Sequence, residues 1–335
     1  MKKNIFSIFK YLIIFSVGIA LLWLAFRGVN LKDTVNEMLQ ADLFWVLVSV
    51  AASLVAFCSR AIRWNMLIEP LGFKPPLVNT SSALMIGYLA NLALPRLGEV
   101  TRCGTLSRSD RVPFNSLLGT VIIERIIDVL CLLLCILFVA LTEYERLGNF
   151  LNQNIFIPLN NKFQAAINSP ILITLLASIL IISIYFIIRK KNKTNTFTSK
   201  IITLFKGILN GLDTVRKLKN PLAFLFHSVL IWFMYYLMSY TCFFALGATS
   251  SLNWHAALFM LVVGGIGMSA PVQGGIGAYH LLVSQGLILY GVSQEHGLAF
   301  ATLMHTSQIL IVILLGSLSF FYLSLKRRNA TTQLS

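Results

Sequence analysis

Long apolar runs constrain the fold of this chain more than any other feature of its sequence. A helix needs about 20 apolar residues to cross roughly 30 Å of hydrocarbon. Six stretches meet that requirement, at about residues 8–27, 43–64, 115–141, 170–188, 221–246 and 297–325. Charged residues make up only 12% of the chain, against about 25% in soluble domains. We therefore expect an all-α polytopic membrane protein with six transmembrane helices.

Two shorter apolar stretches, at about 80–95 and 255–271, end differently from the six long ones. Each ends at a proline that glycines follow, and the two motifs read Pro95-Arg96-Leu97-Gly98-Glu99 and Pro271-Val272-Gln273-Gly274-Gly275. Proline removes a backbone N–H group, and glycine permits a tight reversal of the chain. We expect each stretch to enter the membrane and leave on the same face, as a re-entrant hairpin.

The distribution of lysine and arginine supports this topology. With a cytoplasmic N-terminus, 22 of the 27 basic residues fall on the inner side and four on the outer side, and Arg125 lies within a span. Such an excess is typical of cytoplasmic loops. The net charge of +15 therefore indicates contact with anionic lipid headgroups and not with nucleic acid. We expect a multi-pass protein of the cytoplasmic (inner) membrane with both termini in the cytoplasm.

The order of these segments repeats along the chain. Two spans, a proline-ended segment and a third span occupy about 8–141, and the same series occupies about 170–325. Because three crossings separate the two starts, the second half is expected to be inverted. Interrupted helices at matching positions of inverted repeats point to the binding sites of transporters. The alternative is that both hairpins only fill a bundle. We expect the two repeat halves to form a single membrane domain, residues 1–335.

Charged side chains near these breaks need a partner or a function, because inserting one into hydrocarbon costs at least about 2.5–3.5 kcal/mol. Glu99 lies between Arg96 and Arg102. These arginines can neutralise Glu99 in an interfacial salt-bridge cluster, or they can bind a lipid phosphate. Arg60 and Arg63 end the second span on its inner side, where interfacial anchoring explains them.

Three more charged residues lie within the third span, in the segment IIERIIDVL. Glu124 and Asp128 are four residues apart and share a helix face, while Arg125 is three residues from Asp128 and can pair with it. We expect this triad to face the interior of the bundle. It can serve proton coupling or headgroup recognition, or it can be a buried network that locks the helices together.

His280 lies directly after the second proline motif, in the segment GGIGAYH. A protonatable group there can respond to a phosphate or to protons, and the alternative is a hydrogen-bonded residue at a helix start. The five histidines show no spacing typical of a metal site, and no Gly-Lys-Ser/Thr phosphate loop occurs. We expect neither a metal nor another cofactor.

Four short motifs follow one another along the chain: Arg63-Trp64, NLALPRLGEVTR, IIERIID and APVQGGIGAYH. In these motifs the chain resembles the membrane domain of the lysylphosphatidylglycerol synthases, the flippase-like or UPF0104 family, over about residues 10–325. The resemblance implies movement of an anionic, polyprenyl, aminoacylated or glycosylated lipid between leaflets. By position, the family's motif residues correspond to Pro95, Gly98 and Glu99, to Glu124, Arg125 and Asp128, and to Pro271, Gly274, Gly275 and Gly277.

The chain departs from this family in two respects. The family's second proline motif usually continues to a glutamate, where this chain has His280. We also expect this protein to lack the soluble aminoacyl-transferase domain of the full-length synthases. We therefore do not expect lysyl transfer by this chain, and a separate enzyme would make any modified lipid.

From the sequence we expect a translocase of membrane lipids without catalytic residues. The residues expected to bind or gate the lipid are Arg96, Gly98, Glu99, Arg102, Glu124, Arg125, Asp128, Gln273, Gly274, Gly275 and His280, with structural breaks at Pro95, Pro271 and Gly277. One alternative is an intramembrane transferase in which Glu124 or Asp128 works with His280. Another is a non-catalytic scaffold of a lipid-synthesis complex.

Overall fold

The computed structural model describes residues 16–145 and 218–332, with side chains as far as residue 326. The predicted span at 170–188, residues 189–217 after it and the first part of the span at 8–27 lie outside the described residues. The chain divides into two compact units, Met1–Val139 with Asp213–Ser335 and, separately, Ala140–Leu212. All packing reported below lies within the first unit.

The described residues are mostly helical and contain no β-strand. The helices are α1 (Ser16–Phe26), α2 (Leu31–Leu39), α3 (Leu43–Ile68), α4 (Leu77–Ala93), α5 (Leu97–Asp110), α6 (Phe114–Thr142), α7 (Pro221–Phe243), α8 (Trp254–Ser269), α9 (Ala278–Ile288) and α10 (Gln294–Thr332). Two short 3₁₀ helices, Glu69–Leu71 and Gln273–Gly275, follow α3 and precede α9.

Three of these helices are long and apolar enough to cross a membrane: α3 with its 3₁₀ extension to Leu71, α7, and α10 as far as Lys326. The predicted spans at 43–64, 221–246 and 297–325 are confirmed in that sense. The span predicted at 115–141 corresponds to α6, which has 29 residues and carries three charged side chains. Its crossing, like that of α1, stays a prediction.

Both proline motifs interrupt a helix, as predicted. The first break separates α4 from α5 between Ala93 and Leu97, and Arg96 within it takes a left-handed φ of 63°. The second separates α8 from α9 over residues 270–277 and includes Gly274, whose φ is 55°. In each case the helices on either side of the break pack against each other, so that two helical hairpins form.

Helix α3 precedes the first of these hairpins, α7 precedes the second, and the two helices contact each other. The backbone N–H of Asp42, before α3, donates to the carbonyl of Ala245, after α7, at 2.9 Å. Farther along, Ser59 Oγ of α3 lies 2.8 Å from Nδ1 of His227, near the start of α7. The helices α3 and α7 are therefore antiparallel neighbours.

Small side chains allow α3 to approach α7 closely. The hydroxyl of Ser49 donates to the carbonyl of Met238 at 3.0 Å. The buried small residues on this helix are Ser49, Ala52, Ser53, Ala56, Ser59 and Ala61. Small residues with hydroxyl groups are typical of helix interfaces in membranes, where close backbone approach and hydrogen bonds provide the attraction.

The hairpin of α4 and α5 depends on a close contact at Gly98. A Cβ at this position would meet the carbonyl oxygen of Gly87 and lie 2.6 Å from Nδ2 of Asn91. We expect Gly98→Ala to lower the free energy of unfolding by about 1–3 kcal/mol, because it overpacks this contact. Denaturant unfolding in detergent micelles measures the change.

Gly104, on the same helix α5, supplies the matched control for that substitution. A Cβ there would meet nothing within 4 Å. Gly104→Ala should leave stability unchanged or raise it by up to about 1 kcal/mol, because alanine is the better helix former. Equal losses for the two alanine variants would contradict the assigned contact.

Candidate functional site

Five charged side chains from three helices meet in the interior of the first unit. Arg60 and Arg63 lie three residues apart on α3, so they share one face of that helix. Arg102 reaches them from α5, and Glu124 and Asp128 reach them from α6. We call these five residues the charged cluster.

Glu124 lies at the centre of the charged cluster and is fully buried. Its Oε1 accepts a hydrogen bond of 2.6 Å from Arg60, and its Oε2 accepts one of 3.1 Å from Arg102. Arg63 also lies within 3.7 Å. One carboxylate therefore contacts all three buried arginines and joins α6 to both α3 and α5.

Asp128 lies one turn after Glu124 on α6 and pairs with both arginines of α3. Arg63 donates to its Oδ1 at 2.6 Å, and Arg60 donates to its Oδ2 at 3.0 Å. Arg125 approaches Asp128 more loosely, at 3.9 Å, which confirms the predicted pair three residues apart. Each of the two arginines of α3 thus bridges both carboxylates.

Helix α7 and Trp64 supply uncharged contacts to the same arginines. Tyr235 accepts a hydrogen bond of 3.0 Å from Arg60, and Ser228 accepts one of 3.4 Å from Arg63. The guanidinium of Arg102 lies 4.7 Å from the ring centroid of Trp64, in a cation–π contact. These contacts fix the orientation of the arginine side chains.

The charged cluster carries one more positive than negative charge, because three arginines face two carboxylates. Outside it, Arg125 pairs with Glu99 at 3.3 Å, and that pair leaves the balance unchanged. Arg102 is 2% exposed, and its Nε and one terminal nitrogen have no hydrogen-bond partner within the described parts of the chain. A buried guanidinium with free donors and uncompensated charge is suited to an anion.

The predicted site residues around the first break lie in other places than the sequence interpretation assigned to them. Arg102 turns inward to Glu124, and Glu99 pairs with Arg125 instead of with its neighbours in sequence. Arg96 is exposed at the start of α5. Arg96, Glu99 and Arg102 therefore do not form one salt-bridge cluster, because Arg125 and Glu124 of α6 pair with Glu99 and Arg102 instead.

The interpretation of Arg60 and Arg63 as interfacial anchors is wrong. Arg63 is completely buried and Arg60 is 6% exposed. Helix α3 continues to Ile68, so both arginines lie more than a turn before its end. Their spacing of three residues, next to a tryptophan, was the signal in the sequence for a shared inward face.

The residues of the second break lie against other helices. Gly274 approaches Leu92 of α4 so closely that a Cβ would lie 2.8 Å from its Cδ2, and the Gly274 carbonyl lies 2.9 Å from His305 Nε2 of α10. His280 accepts a hydrogen bond of 3.4 Å from the backbone N–H of Gly277, as the helix-start alternative predicted. Gln273, Gly274 and Gly275 form the short 3₁₀ helix that precedes α9.

Comparison with known proteins assigns this sequence to a family. The family model described as lysylphosphatidylglycerol synthase TM region matches residues 7–316. The membrane protein PH1989 of Pyrococcus horikoshii, of the UPF0104 type, is 24% identical over 125 residues, which are 36% of this chain and 37% of that protein.

A second relative gives a similar match. The UPF0104 membrane protein MJ1595 of Methanocaldococcus jannaschii is 23% identical over 141 residues, which are 41% of this chain and 40% of that protein. The chain thus spans about two fifths of the length of the curated relatives it matches. No solved structure matches. Because the family model covers nearly all of it, the chain belongs to the family of the lysylphosphatidylglycerol synthase TM region and is a membrane protein.

Proposed function

We propose that this protein moves an anionic lipid between the leaflets of the membrane and that the charged cluster holds the lipid phosphate during the passage. The observation that carries the proposal is Arg102, a buried guanidinium with two nitrogens unpartnered among the described residues, in a cluster with one excess positive charge. A phosphodiester carries one negative charge and offers acceptors in the geometry that guanidinium prefers. It would therefore neutralise the cluster and occupy the free donors.

The charge balance favours a transient ligand over a purely structural network. A network that only locked helices together would be most stable with equal numbers of opposite charges, because an uncompensated buried charge is costly. Here one positive charge is left over. An anion that enters and leaves would remove that cost only while it is bound, as transport requires.

The same geometry argues for transport and against catalysis. Arginines hold Glu124 from two helices, and Asp128 pairs with both arginines of α3. Neither carboxylate is free to take a proton from a substrate as a general base would. We propose that the chain binds and moves its lipid without changing it chemically.

We further propose six crossings and two re-entrant hairpins in an inverted repeat, with the charged cluster nearer the cytoplasm. Support comes from the antiparallel run of α3 and α7 and from the two interrupted hairpins. The cluster lies near the end of the first unit at which Lys326 donates a hydrogen bond to Asn79 at 3.1 Å. Arg108, Arg111 and Lys219 lie at the same end, which is therefore basic.

The orientation gives a direct prediction for the inner membrane of a bacterial expression host. Green fluorescent protein fused after Ser335 should fluoresce, because the C-terminus is expected in the cytoplasm. Alkaline phosphatase fused at the same point should be inactive there. The opposite pair of results would contradict the proposed topology.

Transbilayer movement in proteoliposomes tests the proposed function. The purified protein would be reconstituted into phosphatidylcholine vesicles that carry a trace of fluorescent phosphatidylglycerol or fluorescent phosphatidylcholine, and a membrane-impermeant quencher would report leaflet exposure. We expect faster movement of the anionic probe than in protein-free vesicles. Movement no faster than in those vesicles, for both probes and with folded protein, would contradict the proposal.

A further inference from the structure

A second group of buried polar atoms lies on α10 and has no role in the charged cluster. Thr302 Oγ1, His305 Nδ1 and both amide atoms of Gln308 are buried without a hydrogen-bond partner in the part of the chain that the structure describes. These residues follow one another at intervals of three, so they lie along one side of the helix. His305 itself is 4% exposed.

His280 and the second break border this group. The ring centroids of His280 and His305 are 5.0 Å apart, and His305 Nε2 lies 2.9 Å from the carbonyl oxygen of Gly274. A carbonyl only accepts, so Nε2 must carry the proton that this hydrogen bond needs. In the neutral ring Nδ1 is then an acceptor, and it needs a donor.

The hydrogen-bonding capacity of this group identifies the chemistry of its partner. His305 Nδ1 requires a donor, the Gln308 amide offers both donors and an acceptor, and the Thr302 hydroxyl can act in either sense. A phosphodiester only accepts and cannot satisfy the histidine. A hydroxyl group both donates and accepts, and it carries no charge that these uncharged side chains would have to balance.

The group lies at a depth next to that of the charged cluster, with Gln308 as its nearest member. Helices α3 and α10 begin at the same end of the unit, because Glu37, shortly before α3, lies 3.5 Å from His296 in the first turn of α10. At 1.5 Å per residue, Thr302 and Gln308 lie about 12 and 21 Å along α10, and Arg60 and Arg63 lie about 25 and 30 Å along α3. The two helices also contact each other.

We propose that Thr302, His305 and Gln308 form a subsite for hydroxyl groups of the lipid headgroup whose phosphate contacts Arg102. This inference rests on the proposed function and names the substrate class more narrowly, as an anionic lipid with a polyol headgroup. The phosphate would supply the charge that the cluster lacks. The polyol would satisfy the unpartnered atoms of α10.

Two probes of equal charge, one with headgroup hydroxyls and one without, test the subsite. Phosphatidylglycerol and phosphatidylmethanol have the same charge, and only the first offers hydroxyls to α10. In phosphatidylcholine vesicles the wild type should move fluorescent phosphatidylglycerol about tenfold faster, since two hydrogen bonds of about 0.5–1.5 kcal/mol each give that order of discrimination. Equal rates for the two probes would overturn the inference.

Substitutions on α10 test whether its polar side chains cause the preference for phosphatidylglycerol. Gln308→Leu and Thr302→Val keep the side-chain size, and each should lower the phosphatidylglycerol rate about threefold, because each removes one of the two hydrogen bonds, with the phosphatidylmethanol rate unchanged. Ser307→Ala is the matched control, because the Ser307 hydroxyl already donates to Met304 of its own helix at 2.7 Å. A full preference in both Gln308→Leu and Thr302→Val would overturn the assignment.

A binding measurement separates failure of the subsite from failure of transport. If the wild type moves no lipid, the proposed function fails and the subsite is judged by soluble headgroup analogues. Glycerol 1-phosphate should then raise the unfolding temperature of the detergent-solubilised wild type more than methyl phosphate does, and Gln308→Leu should reduce the difference. Equal effects of the two phosphates on the wild type would overturn the inference.

Discussion

Replacing Glu124 with glutamine is expected to lower the free energy of unfolding by about 3–5 kcal/mol in phosphate-free buffer, the usual cost of removing one partner from a buried ion pair. Glu124 is fully buried and pairs with Arg60 at 2.6 Å and Arg102 at 3.1 Å. In the variant, three buried arginines would face Asp128 alone, so the excess of one positive charge would become two. A neutral amide offers one acceptor oxygen and does not restore the balance.

Denaturant unfolding in detergent micelles measures this loss. Glu145→Gln is the matched control, because Glu145 is exposed just beyond α6 and accepts a hydrogen bond from its neighbour Tyr144 at 3.0 Å. That change should alter stability by less than about 0.5 kcal/mol, as surface substitutions usually do. Equal stability of Glu124→Gln and the wild type would show that the Glu124 carboxylate does not hold the buried arginines together.

Replacing Arg102 with methionine is expected to weaken phosphate binding at least about tenfold while the fold persists. The substitution removes the excess charge, so that Arg60 and Arg63 face Glu124 and Asp128 in equal numbers. Glu124 keeps its contact of 2.6 Å with Arg60. The loss of stability should therefore be well below that of Glu124→Gln, although both substitutions remove one member of the same cluster.

Inorganic phosphate provides the readout for Arg102. A ligand that binds only the folded state stabilises it by RT ln(1 + [L]/Kd), which is about 1.4 kcal/mol at ten times the Kd. The wild type and Arg108→Met should show this stabilisation in detergent, and Arg102→Met should lose most of it. Arg108 is exposed on the same helix α5, which makes it the matched control. If phosphate stabilised Arg102→Met as strongly as it stabilises the wild type, phosphate would not bind in the charged cluster.

The sequence predicted those features of the fold that depend on local composition. Apolar runs placed α3, α7 and α10 within a few residues of their observed starts, and the proline motifs placed both helix breaks. The interval of four residues between Glu124 and Asp128 placed both carboxylates on one face of α6, and they do meet the same arginines. Helical periodicity suffices for inferences of this kind.

The pairing between helices could not be predicted from sequence, because it depends on tertiary contacts. Arg60 and Arg63 look like interfacial anchors unless α6 is known to bring two carboxylates to the same depth. Glu99 has arginines as near neighbours in sequence and nevertheless pairs with Arg125 of another helix. Helix direction, and not distance along the chain, decides which charges meet.

The polar residues of α10 were also missed, although the sequence carried a signal. Thr302, His305 and Gln308 interrupt an apolar span at intervals of three, which places them on one side of the helix. Mean hydropathy over the span hides such an interruption. In the fold, His305 of this group contacts His280 and the carbonyl of Gly274.

The most direct test of the central claim is the rate at which Arg102→Met moves phosphatidylglycerol between leaflets, compared with the wild type and Arg108→Met in the same vesicles. If the charged cluster holds the lipid phosphate, Arg108→Met should move the lipid at the wild-type rate. Folded Arg102→Met should then be at least about tenfold slower, a loss of about 1.4 kcal/mol in transition-state stabilisation. Equal rates for all three proteins would contradict a lipid pathway through the charged cluster.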